Sequence, residues 1–146
     1  MKRHSSLVTL SREHHEALIL SRLLQKDAPL YKGMPTDIQG KALYADQFYN
    51  DHLVAHFKDE EKVLEMATGI NNKLDFLIQN IIREHQDLHK MFSEIKSNPD
   101  MPTHLDILGK ELEAHIRKEE RELFPLIQET CSEEVLSSIG RYFLQH

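Results

Sequence analysis

The 146-residue chain carries a formal charge of −6 with no basic stripe, which argues against a nucleic-acid or anionic-membrane partner. Its length suits a single domain over residues 1–146 in which four or five helices share one core, and no run of eighteen apolar residues offers a membrane span. A lone Cys131 admits no internal disulfide, and only Leu7-Val8-Thr9-Leu10 follows Met1-Lys2-Arg3 before Arg12, too short an apolar run for a secretory signal, so a cytoplasmic protein is expected.

Glycine and proline are scarce, five of each, and no strand-like alternation recurs. A helical period runs from about Ser5 to Asp27, with Leu7, Leu10, Leu18 and Leu24 on one side, and stops before Ala28-Pro29. The second segment spans about Asp37 to Ala67, with Leu43, Phe48, Leu53, Val63 and Leu64, and closes at Gly69 and Asn71-Asn72. The third covers roughly Asn72 to Ser97, with Leu74, Leu77, Ile78, Ile81, Leu88 and Phe92. After Asn98-Pro99-Asp100-Met101-Pro102, Thr103 is the expected N-cap of a fourth helix reaching about Glu129, with a kink or shortened end at Pro125. A short last helix from Ser132 to about Leu144 uses Leu136, Ile139 and Phe143. Short connections between helices of roughly 35–45 Å, at about 1.5 Å per residue, predict an all-α, antiparallel up-down-up-down four-helix bundle with a C-terminal fifth helix that caps it or pairs with another chain.

The chain contains an internal repeat. Arg12-Glu13-His14 recurs as Arg83-Glu84-His85, and His56-Phe57-Lys58-Asp59-Glu60-Glu61 recurs as His115-Ile116-Arg117-Lys118-Glu119-Glu120. The first two helices therefore resemble the next two, and a pseudo-two-fold bundle with one central site follows.

Ten histidines are many for this length. His4, His104 and His146 fall near a terminus or in a loop and are set aside. Residues four apart share a helix face, and three such pairs interrupt apolar stripes: His56/Glu60, His85/His89 and His115/Glu119. Taken singly, a His-x-x-x-Glu pair is an ordinary side-chain contact. Taken together, unpaired polar groups in a bundle core would each cost a few kcal/mol, and a metal that takes their lone pairs removes the cost. From the first helix His14 is favoured, because it aligns with His85 and continues Leu7, Leu10 and Leu18. His15, on a more polar face, is the alternative. His52, one turn before His56, is expected to be a partly exposed helical histidine, with a place lining the site entrance as the alternative. Glu61 and Glu120 fall one position off the stripe and are expected to face solvent. Imidazole suits iron, zinc, copper and nickel, no thiolate is near, and the donors exceed what one ion needs.

This pattern resembles the hemerythrin-like, or HHE cation-binding, domain family, over nearly the whole chain. The family's signature is a histidine on helix one, HxxxE on helix two, a histidine or HxxxH on helix three and HxxxE on helix four. The resemblance implies two oxo- or hydroxo-bridged iron ions. One would take His85, His89 and His115 and the other His14 and His56, with Glu60 and Glu119 bridging. In the oxygen-carrying hemerythrins the last carboxylate is an aspartate five residues after its histidine. Here Glu119 stands at four and Glu120 at five, so Glu119 is the expected bridge and Glu120 the alternative. The implied activity is binding or sensing of a small diatomic ligand, O2 or NO, at an open position, in a monomer or weak homodimer. The alternative is iron handling in nitrosative or oxidative stress, of the kind that repairs iron–sulfur centres.

Overall fold

The computed structural model describes residues 2–145, so His146 lies outside the described residues. A 3-10 turn (Ser5–Leu7) leads into α1 (Val8–Leu23). The second long helix consists of α2 (Ile38–Phe48), a π turn (Tyr49–Leu53) and α3 (Val54–Ala67). The third is α4 (Asn72–Ser93). The fourth consists of α5 (Met101–Lys118), a π turn (Glu119–Leu123) and α6 (Phe124–Thr130), and α7 (Glu133–Gln145) follows. Among the described residues there is no strand, and no helix is long and apolar enough to cross a membrane.

Side-chain acceptors set the helix starts. Asp37 accepts from the Gly40 N–H and Asn71 from the Leu74 N–H, each satisfying a donor with no partner inside its helix. The fourth helix begins earlier than expected. Asp100, not Thr103, is its N-cap, accepting from the Thr103 N–H at 3.3 Å, with Pro102 in the first turn, where a missing N–H costs nothing. His104 is consequently helical, and its Nε2 meets the Met91 carbonyl at 2.7 Å. The first helix ends short of Asp27, where the buried Asp106 accepts from the Lys26 N–H. Gly69, at φ 86°, turns the chain out of α3 in the left-handed conformation that glycine tolerates.

The expected break near Pro125 takes the form of a π turn just before it. The Phe124 N–H reaches the Glu119 carbonyl five residues back, as the Val54 N–H reaches Tyr49 in the second helix. One extra residue per turn re-phases the helix, so that Leu123, Phe124 and Ile127 are buried together with His115 and Glu119.

Two apolar clusters fill the interior, and every long helix contributes to both. One holds Ala17, Leu20, Phe48, Phe57, Leu88, Phe92, Leu108 and Leu112. The other holds Leu7, Leu10, Val63, Leu64, Leu74, Ile81, Leu123 and Phe124, and Leu136 and Ile139 of α7 pack into it. Along each helix the residues between the clusters are polar and buried: His14, His56 and Glu60, His85, His115 and Glu119. The candidate site is thus a polar layer between two apolar ones.

Helix α1 passes close against α5 at Gly109, where an added Cβ would stand 2.4 Å from the Ser21 carbonyl oxygen. Gly109→Ala gains about 1 kcal/mol of helix propensity but forces two packed backbones apart, for which roughly 1–3 kcal/mol is typical. The expected outcome is a lower urea midpoint, and a raised midpoint would show that the helices separate freely.

Candidate metal centre

Six buried side chains from the four long helices meet in this polar layer. Their ligand atoms form two overlapping sets, each within 4.8 Å: His14, His56, Glu60 and Glu119, and Glu60, His85, His115 and Glu119. Both carboxylates belong to both sets. Glu60 Oε2 lies 3.5 Å from His56 Nε2 while its Oε1 lies 2.8 Å from His85 Nε2. Glu119 Oε1 lies 3.0 Å from His14 Nε2 and 3.3 Å from His115 Nε2, and its Oε2 lies 3.7 Å from His85 Nε2.

These atoms are close without being hydrogen-bonded. The Nε2 atoms of His14, His85 and His115 and all four oxygens of Glu60 and Glu119 are buried with no partner in hydrogen-bond geometry. Left so, each would lose its hydration without return, at about 1–3 kcal/mol per group. Seven such atoms in one layer are a donor set arranged around something other than each other. Imidazole nitrogen and carboxylate oxygen are ligands for iron and other first-row divalent ions.

The outward-facing nitrogens are ordered in the same way. The Nδ1–H of His14 donates to Glu120 (2.7 Å), that of His56 to Glu13 (2.9 Å), that of His85 to Glu61 (2.8 Å) and that of His115 to Glu84 (2.7 Å). Each bond leaves Nε2 free to face the centre. The expectation that Glu61 and Glu120 face solvent is therefore corrected. Each is only partly exposed and holds a histidine of a neighbouring helix. Glu13 and Glu84 were not singled out by sequence reasoning, although the repeated Glu-His dipeptide was the available signal.

The electrostatics follow from this packing. Burial lowers an imidazole pKa, but the surrounding carboxylates outweigh it. They raise His14 and His115 to about 9, His56 to about 10 and His85 to about 11. Burial would raise Glu119, yet His115 and the other facing groups hold it well below the usual carboxylate range.

Chain and family now connect. The family model for the hemerythrin HHE cation-binding domain matches residues 5–127. This chain belongs to that family. Comparisons with curated proteins and with solved structures gave no match. The match ends within α6, before α7 begins.

Of the two candidates on α1, His14 is buried in the cluster while His15 is exposed beside His52 in a surface pocket. Of the two adjacent glutamates, Glu119 is in the cluster and Glu120 holds His14 from outside it. His89 is not among the residues brought together. Its Nδ1 lies 2.5 Å from the Tyr49 hydroxyl, and the Phe57 ring, which stacks on His85 at 4.4 Å, stands perpendicular to His89. Tyr49 sits in the π turn, whose extra residue no helical-period argument anticipates. A pocket of about 480 Å³ flanks His56, lined among others by Glu13, His15, Phe48 and His52. Its counterpart at His115 is only about 120 Å³, with Lys118 and Met91 at its wall.

Proposed function

We propose that this hemerythrin-type domain holds two iron ions in the polar layer and binds a small diatomic ligand, O2 or NO, at positions the protein leaves open. The observation that carries the reading is the pair of four-donor sets sharing Glu60 and Glu119. His14 and His56 would hold one ion, His85 and His115 the other, with both glutamates between them. Each ion would draw only two imidazoles and two shared carboxylates from the protein, which would leave room for a further small ligand. The absence of His89 from both four-donor sets supports a two-and-two division of the histidines over three and two. Ferrous ions bound here would supply redox-active metal with affinity for O2 and NO.

The chain's own contribution is positioning and exclusion. The rings of Phe124 and Phe57 stack on His14 and His85 and keep bulk water from their inner faces. The larger pocket beside His56 favours approach of the small ligand from the His14/His56 side. The four long helices enter the two apolar clusters in alternating order along the chain, which supports the up-down-up-down order and a single domain.

The test is anaerobic loading of tag-free protein with ferrous iron, followed by O2 or NO. Uptake of two ions per chain with a visible absorption change in proportion to iron is expected. Stable uptake with no spectral response to either gas would instead favour the iron-handling reading. Failure to retain any metal would sink both.

A further inference from the structure

We propose that Glu13, Glu61, Glu84 and Glu120 form a closed ring of positioning residues, each standing on one helix and orienting a metal-binding histidine of the next. The inference rests on the metal reading above and assigns roles that this reading does not need. Glu13 of α1 holds His56 of α3, and Glu61 of α3 holds His85 of α4. Glu84 of α4 holds His115 of α5, and Glu120, in the π turn after α5, returns to His14 of α1. The circuit passes through all four long helices and closes.

Its origin lies in adjacent residues. Successive helical positions are about 100° apart around the axis, so when one points to the centre its neighbour points along the seam with the next helix. Glu-His on α1 and α4, and Glu-Glu at 60–61 and 119–120, each supply one inward and one seam-facing group. A bond at Nδ1 fixes the tautomer and the ring plane together, presenting the Nε2 lone pair inward. Without it the imidazole is free to rotate about its own side-chain torsions or to present the wrong nitrogen.

The four posts are not equally braced. Glu120 also accepts from Arg3 and Ser11, and Glu84 from Lys118. Among the described residues the side chains of Glu13 and Glu61 hydrogen-bond only to their histidines, and they are 44% and 42% exposed. Substitution at these two perturbs least else, which makes them the positions to test.

The experiment uses the full chain loaded with Co2+. Each bound histidine then contributes one exchangeable, paramagnetically shifted Nδ1–H proton resonance. Glu61→Ala should broaden or remove one of four such resonances, Glu13→Ala a different one, and each should weaken Co2+ binding about ten- to a hundredfold. Glu61→Gln, which keeps an acceptor, should restore the missing resonance at a shifted position and most of the affinity. Unaltered resonances and affinity in both alanine variants would overturn the proposal, as would a loss of thermal stability alone. Should an alanine variant fail to fold, the glutamine variant decides: a resonance indistinguishable from wild type means the carboxylate is not felt by the histidine. Wild-type protein that takes up no Co2+ would instead count against the metal reading itself.

Discussion

Glu119→Ala should empty both halves of the cluster at once, lowering metal retained after dialysis at least about tenfold, because each ion loses a direct donor. The reason is that its oxygens face histidines of both sets, within 3.0–3.7 Å. Glu60→Ala should behave alike, since its oxygens divide between His56 and His85. Removal of a single histidine, as in His115→Ala, takes a donor from one set only and should spare part of the metal. The informative comparison is His89→Ala with His115→Ala. His89 bonds Tyr49 through Nδ1 and stands outside both four-donor sets, so its loss should leave metal content near wild type, as should His15→Ala. Elemental analysis of tag-free variants, with circular dichroism to verify folding, makes the measurement. If His89→Ala lost as much metal as His115→Ala, the three-and-two arrangement would be restored.

Metal loading at neutral pH should release protons, up to about four per chain, because the four clustered histidines are protonated in the metal-free protein and must be neutral to ligate. Two divalent ions replacing four protons leave the net charge of the buried layer unchanged, so the fold has no electrostatic reason to resist the exchange. Calorimetry in buffers of different ionisation enthalpy counts the protons, and release near zero would show that the histidines are already neutral.

The same groups govern the stability of the metal-free protein. A histidine whose folded pKa is raised stabilises fully below its unfolded value of about 6.5, and the benefit is lost as pH rises through the folded value. The loss should therefore run from about pH 6.5 to the range 9 to 11 set by these four groups. Glu119, Glu61, Glu84 and Glu120 are lowered, so their contribution is present above about 4.5 and is lost as pH falls through their folded values. Metal-free melting temperature should peak between roughly pH 5 and 6.5 and decline toward pH 10, a decline that bound metal removes. A flat profile from pH 6 to 10 would contradict the raised imidazole values.

The amino-acid sequence by itself determined the elements and most of the candidate centre. Helical periodicity places apolar residues on one face and reveals where polar ones interrupt it, and the repeat shows that the interruptions occur at matching heights. Together these pick out His56, Glu60, His85, His115 and Glu119, with His14 ahead of His15. Periodicity describes a residue's angle about its own helix axis and is silent on what the neighbouring helix places there. His89 shares a face with His85, yet only the packed structure shows Tyr49, displaced by a π turn, taking it up and Phe57 standing beside both rings. Glu61 and Glu120 look like solvent-facing residues on an isolated helix. They become supports because the seam between helices brings His85 and His14 within 2.8 and 2.7 Å of them, the latter across 106 residues of chain. Which groups could line the centre was thus written in the periodicity and the repeat. Which of them meet there, and what holds them, was decided by the rotation and packing of one helix against the next.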